Sequence, residues 1–205
     1  DSNGTLRTAL SLDYETNSSM SIRARVTDNH NAVYEEVFAI SVLDVDDTAP
    51  VLSLVGDVNV THEAGHPYTD VNATWTDAVD GSGIVLAAGS VDTSKVGSYV
   101  LTYSKTDLAG NIALDLNRTV WVVDTTAPIV SLNGDANVTH EAGSPYHDAN
   151  ATWVDLIDGN GTTFPAGQVN VNALGKNILV FSVTDASGNI SQDMNRTVTV
   201  VDTTS

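Results

Sequence analysis

No cysteine occurs among the 205 residues, so no disulfide holds this chain together. That fits either a cytosolic protein or a surface protein stiffened by metal in place of disulfides. Basic residues are scarce: 8 Lys and Arg stand against 26 Asp and Glu, for a formal net charge of -18. Without a basic patch to meet phosphate, nucleic acid and anionic membrane surfaces are excluded as partners. Such acidity suits cation binding or solubility. Aromatics are only 6% of the chain, and most fall at core-like positions, which leaves little for a sugar-stacking platform. No run is long and apolar enough to insert into a membrane in this segment. No leader pattern is present and residue 1 falls inside a β pattern, so the chain reads as a piece of something longer. No Ser-His-Asp or Cys-His arrangement has support, and no Gly-rich phosphate loop follows a strand and opens a helix, so no catalytic residue is assigned and the chain is not expected to be an enzyme.

What is abundant is Asn, Thr, Ser, Val, Gly and Asp, the material of short strands and tight turns. The segment from Gly56 through Thr61-His62-Glu63-Ala64-Gly65 returns 78 residues later, from Gly134 through Thr139-His140-Glu141-Ala142-Gly143. Trp75 returns as Trp153, Asp107 as Asp185 and Asn117-Arg118-Thr119-Val120 as Asn195-Arg196-Thr197-Val198, at the same offset and without a gap. Two copies of one unit are therefore expected at 48–125 and 126–205, preceded by a different, partial domain at 1–47.

Within the first copy, strands are predicted at Val51–Leu54, Asn59–Thr61, Val71–Thr76, Ile84–Val91, Tyr99–Tyr103 and Ile112–Val123. Asp77–Gly83 reads as a loop from its Gly and Asp content. Asp107–Asn111 reads as a hairpin loop with Gly110 at the positive φ. About seven strands per copy and no helical periodicity predict an all-β architecture of tandem β-sandwiches in a linear array. Trp75, Leu101, Tyr103 and Val120 are the core candidates. Residues 1–47 read as three strands, Thr5–Leu12, Ser21–Val26 and Val33–Val45. Three strands cannot close a sandwich alone, so apolar side chains such as Leu10 and Ile22 are expected to be uncovered.

The joints between these units are acidic. Asp44-Val45-Asp46-Asp47-Thr48-Ala49-Pro50 closes the first segment, Asp124-Thr125-Thr126-Ala127-Pro128 closes the second, and Asp202-Thr203-Thr204-Ser205 begins a third copy. Each proline removes a ladder donor and pushes the residue before it into an extended conformation. Crowded carboxylates repel unless a cation sits between them, and Ca²⁺ takes about 6–8 oxygens at roughly 2.3–2.6 Å. Counting strand directions brings Asp13, Glu15, Asp44, Asp46, Asp47, Asp77, Asp80 and Asp107 to the first joint. It brings Glu63, Asp124, Asp155, Asp158 and Asp185 to the second. The first is expected to hold two or more Ca²⁺ ions and the second, with two threonines in place of acids, at most one. For Asp107 and Asp185, and more so for Asp80 and Asp158 before glycine, turn-forming aspartate is the competing reading.

Two signals are discounted or left open. His62-Glu63-Ala64-Gly65-His66 fits the H-E-x-x-H zinc pattern, which needs both histidines on one helix face. Gly65 and Pro67 break any helix, and the second copy has Ser144 in place of the second histidine. N-x-S/T sequons at Asn59, Asn72, Asn117, Asn137, Asn150 and Asn195 recur in pairs 78 residues apart. They are candidate glycosylation sites in a host that modifies extracellular Asn.

Residues 1–47 resemble the C-terminal half of a cadherin repeat. Leu12-Asp13-Tyr14-Glu15 stands where that family has Leu-Asp-Arg-Glu, Val26-Thr27-Asp28 where it has Ala-x-Asp, and Asp44–Pro50 where it has Asp-x-Asn-Asp-Asn-Ala-Pro. Asp46 and Thr48 depart from the family's Asn while keeping oxygen ligands. Residues 48–205 resemble bacterial immunoglobulin-like surface repeats related to hyalin repeats, through Asp-Thr-Thr-Ala-Pro, the Glu-Ala-Gly turn, the Asp-x-x-Asp-Gly loop and the Thr-Asp-x-x-Gly-Asn hairpin. These resemblances imply tandem immunoglobulin-like and cadherin-like sandwiches, an extracellular or cell-surface location, and cell adhesion. The expected role is a calcium-stiffened extender of an adhesin or surface filament that projects a distal binding region. Its partners would be calcium ions and the neighbouring repeats of the same chain, with self-association and a cell-surface ligand left open. The alternative is a glycan- or protein-binding accessory module of a secreted protein or enzyme.

Overall fold

The computed structural model describes residue 8 and residues 11–204. The expected first strand, Thr5–Leu12, and Leu10 lie largely or wholly outside them. The described residues are all-β, with no helix. They begin with an antiparallel hairpin of β1 (Ser19–Thr27) and β2 (Val33–Ser41), in which Ile22 faces Phe38. Asp28 builds its turn by accepting from the amides of His30 and Ala32, each at 2.8 Å. Val26, Tyr34, Val37 and Phe38 are exposed, whereas Ile22 is half-buried. The second strand stops at Ser41, short of the expected Val45. Its last tie is Val42 donating to the Ser18 carbonyl at 3.1 Å, after which the acidic stretch has no strand partner.

The first repeat contains β3 (Val51–Leu54), β4 (Asn59–Glu63), β5 (Ala73–Asp77), β6 (Gly81–Val85), β7 (Gly97–Tyr103) and β8 (Leu116–Val123). They form two three-stranded sheets, β3-β5-β6 and β4-β8-β7. The second repeat contains β9 (Ile129–Leu132), β10 (Asn137–Glu141), β11 (Ala151–Asp155), β12 (Gly159–Thr163), β13 (Gly175–Phe181) and β14 (Met194–Val201), with every boundary 78 residues on from its counterpart. Its sheets are β9-β11-β12 and β10-β14-β13. These are immunoglobulin-like sandwiches in tandem. Alternation on β7 and β8 turns Leu101, Tyr103, Val120 and Val122 inward, and all four are buried with Ala73 and Val85.

Several sequence expectations are corrected. Each copy has six strands rather than about seven, and the last strand of the first copy starts at Leu116 rather than Ile112, which makes only an isolated bridge to Thr106. The stretch 84–91 is not one strand: β6 ends at Val85, and Ala88 forms a bridge to Thr102 of the other sheet. The chain crosses between sheets there, and Gly89 (φ 106°) lets it pass the Val100 carbonyl, 3.0 Å from where a Cβ would lie. Next, Gly81–Gly83 belongs to β6 and not to a loop, while Trp75 and Trp153 are half-buried rather than central. The causes are one arrangement: each indole lies across a strand glycine, where a Cβ on Gly83 or Gly161 would stand 2.7 or 2.8 Å from Nε1. Lys105 Nζ covers the outer face of Trp75, 4.6 Å from its centroid. Finally, successive strands do not all reverse. β4 runs parallel to β8, whereas β3 runs antiparallel to β5. The chain therefore keeps its heading from β3 to β4 while changing sheets at Gly56 (φ 79°).

That crossover strands backbone carbonyls which no sheet partner reaches. Arg118, fully buried on β8, satisfies them: Nε donates to the Asp57 carbonyl at 2.9 Å and Nη2 to the Val55 carbonyl. Its Nη1 pairs with Asp70 and donates to Tyr103 Oη at 2.9 Å. Arg196 repeats the arrangement with the Asp135 and Asn133 carbonyls and Asp148, but Phe181 replaces Tyr103. Burial alone would raise the Asp70 carboxyl; donation by Arg118, Tyr103, the Asn72 amide and Tyr68 outweighs it and holds the group below the ordinary aspartate range.

Removing one partner of a buried pair costs roughly 3–5 kcal/mol, so Arg118→Ala should destabilise the first repeat by about that much. Tyr103→Phe should cost only about 1 kcal/mol, because Phe181 already fills the matching place. Denaturant unfolding followed by tryptophan fluorescence checks both. The lowered Asp70 carboxyl contributes stability that is present above the unfolded value of about 3.9 and lost as pH falls through the folded value. Stability should therefore drop below about pH 4, and Asp70→Asn should flatten that acid limb.

Candidate metal centres at the joints

The first joint is built from local turns. Asp77 ends β5, and its Oδ1 accepts from the amides of Val79 and Asp80 at 2.8 and 2.9 Å, turning the chain into β6. Asp107 closes the hairpin before β8: Oδ1 accepts from Gly110 and Asn111 amides at 2.6 and 2.7 Å, and Oδ2 from Asn111 Nδ2 at 2.7 Å. Gly110 takes the expected positive φ, 100°. Asp80 Oδ2 joins the two loops by accepting from the Leu108 amide at 2.7 Å. Asn111 then reaches across to the linker, where Nδ2 lies 3.1 Å from the Asp46 carbonyl and 3.3 Å from that of Thr48.

These bonds leave specific atoms over. Asp46 Oδ1 accepts from the Thr48 amide at 3.3 Å, but Asp46 Oδ2 and Asp77 Oδ2 are buried with no partner. One carboxylate oxygen from each of Asp46, Asp77 and Asp107 lies within 4.8 Å of the others. Oxygens on opposite sides of a Ca²⁺ ion at about 2.4 Å would lie about 4.8 Å apart, so the three fit around one such ion. The Asp46 carboxyl is raised, first by burial and then by repulsion from Asp77, Asp107 and Asp80, although the Thr48 amide opposes this. In Asp107, burial is outweighed by the Asn111 and Gly110 donors, which lower it.

Of the remaining acids of the first joint, Asp13, Glu15 and Asp47 lie together, and Asp44 is near enough to Glu15 to repel it. Asp13 Oδ1 accepts from the amides of Glu15 and Thr16, and Oδ2 from Thr16 Oγ1 at 2.7 Å. The Thr16 hydroxyl is the largest influence lowering the Asp13 carboxyl. Asp13, Glu15 and Asp47 line one hollow with Leu12, Leu43 and Val45. Donation from its own amide would lower the Glu15 carboxyl, but sharing with Asp13, burial and repulsion from Asp44 raise it.

The second joint resembles the first, but Asp158, the counterpart of Asp80, takes the third place in its trio. Asp124, Asp155 and Asp158 each bring an oxygen within 4.8 Å of the others. Asp155 Oδ1 accepts from the Ile157 and Asp158 amides at 2.8 and 2.9 Å, Asp124 Oδ1 from the Thr126 amide at 3.1 Å, and Asp158 Oδ2 from the Ala186 amide at 3.3 Å. Asp124 Oδ2 and Asp155 Oδ2 are buried without a partner. Asp185 stands outside this trio, its oxygens taken by Asn189, whose Nδ2 also reaches the Asp124 carbonyl at 3.1 Å. Glu63 is not in the cluster either. Its carboxylate accepts from the Thr125 amide and hydroxyl and the Thr126 hydroxyl, at 2.9, 2.7 and 2.9 Å, and these donors, the Thr125 amide first, lower it. It clasps the linker instead, as Glu141 does with Thr203.

Asn111 and Asn189 are the joint residues that sequence reading passed over. Their signal was the repeated Asp-x-x-Gly-Asn, taken only as a hairpin. Among the sequons, Asn72 and Asn150 are half-buried at φ 64° and 61°, a left-handed position that Asn tolerates. Asn59, Asn117, Asn137 and Asn195 are exposed on strands. The His62-to-His66 segment is β4 and a following turn, with His62 Nε2 2.9 Å from the His66 carbonyl.

A family model described as "Bacterial surface protein, Ig-like domain" matches residues 52–122 and 130–200, two stretches whose starts are 78 apart (130 − 52). Among curated proteins the chain is 28% identical over 173 residues to a hyalin of Strongylocentrotus purpuratus, across 80% of this chain and 14% of that protein. It is 29% identical over 185 residues to a hyalin of Lytechinus variegatus, across 82% of this chain and 34% of that protein. The chain thus spans at most about a third of these relatives. Among solved structures, a lipoprotein from Bacteroides thetaiotaomicron is similar at 28% identity over 38% of this chain and 39% of that one, with a TM-score of 0.33. The extracellular domain of protocadherin gammaB4 is similar at 15% identity over 95% of this chain and 41% of that one, with a TM-score of 0.45.

Removing the asparagine ties should loosen each linker. Asn111→Ala and Asn189→Ala should each cost about 1–3 kcal/mol, since each leaves linker carbonyls and a carboxylate without their donor. Urea unfolding measures the loss, and no change in either variant would show that the ties contribute nothing.

Proposed function

The chain belongs to the bacterial surface protein Ig-like domain family, and on that footing we propose that it is an extracellular, adhesion-related module whose joints are stiffened by Ca²⁺. Its role is mechanical: it extends a longer surface protein and fixes the angle between neighbouring units. The observation that carries this reading is the pair of buried, unpartnered carboxylate oxygens at each joint, Asp46 and Asp77 Oδ2 at one and Asp124 and Asp155 Oδ2 at the other. A buried acceptor without a donor is costly, and a hard cation between the carboxylates removes both that cost and their mutual repulsion.

Each ion draws ligands from a linker and from the loops of the repeat that follows it. At the first joint Asp46 supplies the linker ligand, and Asp77 and Asp107 come from the next repeat, with Asp80 alongside. The group of Asp13, Glu15, Asp44 and Asp47 offers a further position on the hairpin side. At the second joint Asp124 is the linker ligand, with Asp155 and Asp158 from the next repeat. Thr125 stands where the first joint has Asp47 and nothing matches Asp13 and Glu15, which supports a single ion there. Extracellular modules hold Ca²⁺ with Kd of about 10⁻⁴–10⁻³ M, so the first joint would relax where calcium is scarce.

Binding to the folded form alone adds RT ln(1 + [L]/Kd), about 2.7 kcal/mol at a hundredfold excess over Kd. Millimolar Ca²⁺ is roughly a one- to tenfold excess over that Kd and gives about 0.4–1.4 kcal/mol per ion, so calorimetric melting there should exceed that in chelator by a few degrees. Asp46→Asn and Asp47→Asn together should remove more of that increment than Asp124→Asn. Equal melting temperatures of the unsubstituted protein in Ca²⁺ and in chelator would leave a passive spacer.

A further inference from the structure

The two repeats carry the same trailing face, and within the described residues only that of the first is covered. In the first repeat the turn after β4 is Ala64-Gly65, and in the second it is Ala142-Gly143. Ala64 is 2% exposed, whereas Ala142 is half-buried. A Cβ on Gly65 would lie 2.8 Å from Leu156 Cγ and 3.5 Å from Ile157 Cδ1, whereas one on Gly143 would meet nothing within 4 Å. Leu156 and Ile157 come from the β11–β12 turn of the second repeat; Ile157 is half-buried and packs onto the core cluster of the first, whereas Leu156 touches Gly65 with its inner side and stays 65% exposed. Their counterparts at the first joint are the smaller Ala78 and Val79, and Val79 is 61% exposed.

We infer that Ile157, flanked by the inner side of Leu156, forms an apolar plug against Ala64 and Gly65 that holds the two repeats at one angle whether or not a cation is bound between them. Relative motion of neighbouring units is the default where an interface is small or polar, and apolar burial across the joint opposes it. Among the described residues the first joint has no such plug, so on the proposed reading its order rests on its acids and the ion they would hold. The chain thus contains one joint whose angle needs the cation and one whose angle the plug already holds without it. The inference stands apart from the calcium reading, because it concerns the state without cation.

The chain has no cysteine, so paired cysteines introduced for spin labels are unique. Ser98→Cys with Lys176→Cys, exposed equivalents on β7 and β13, reports the angle between repeats; Arg25→Cys with Ser98→Cys reports the first joint. In chelator the 98–176 distance distribution should keep the width it has in Ca²⁺. Adding Leu156→Ser and Ile157→Ser should roughly double that width, as expected once apolar contact between units is lost. Gly65→Ala should widen it as well, since the new methyl displaces Leu156. Gly143→Ala, strained by a similar backbone (φ 73° against 75°) but facing open space, should not. The inference is overturned if the unsubstituted 98–176 pair broadens in chelator, or if neither the double serine variant nor Gly65→Ala broadens it. A 25–98 distribution indifferent to Ca²⁺, with a narrow 98–176 one, would sink the cation reading of the first joint and leave the plug supported.

Discussion

The organisation of each repeat depends on one buried guanidinium. Where β3 becomes β4 the chain steps from one sheet to the other without turning back, and the carbonyls at that step have no ladder partner. Arg118 and Arg196 supply the donors from the centre of the opposite strand, with Asp70 and Asp148 balancing the charge. With that step held, β4 lies parallel to β8, and the Glu63-Ala64-Gly65 turn lies at the end from which the chain leaves the repeat. The hairpins carrying Asp77, Asp80 and Asp107 then gather at the other end, beside the incoming linker. A polar group in the core thus determines where the functional ends of the module lie.

At the joints, forming a turn still leaves the same aspartates an oxygen to offer. A carboxylate has two oxygens, and in Asp77 and Asp155 one oxygen builds the turn by accepting two backbone amides while the other stays free and points into the cluster. The turn holds the side chain in one rotamer, and this preorganises the free oxygen. Asp107 and Asp185 tilt further toward the structural role, since their neighbouring asparagines occupy both oxygens. Asn111 and Asn189 then transmit the position of those hairpins to the linker backbone.

The repeat, the all-β class, the hairpin at Gly110 and the crowding of acids at two joints were legible in the residues. A 78-residue identity pattern, alternation on β7 and β8, and Asp-Gly turn chemistry are local signals that survive any packing. Strand direction was only partly legible: the end assigned to each loop agreed with the structure although β4 does not reverse, because β5 reverses in either case.

What the chain determined by itself was therefore its period, its class and the kind of side chain offered at each joint. Which oxygens remain unpartnered, that Glu63 clasps a linker, that glycines 83 and 161 lie under indoles, and that Leu156 seats on Gly65 were decided only when distant segments met. The physical reason is range. Turns and alternation depend on neighbours a few residues away, whereas the fate of a carboxylate oxygen or an exposed leucine depends on which donor or apolar surface another strand happens to bring within contact.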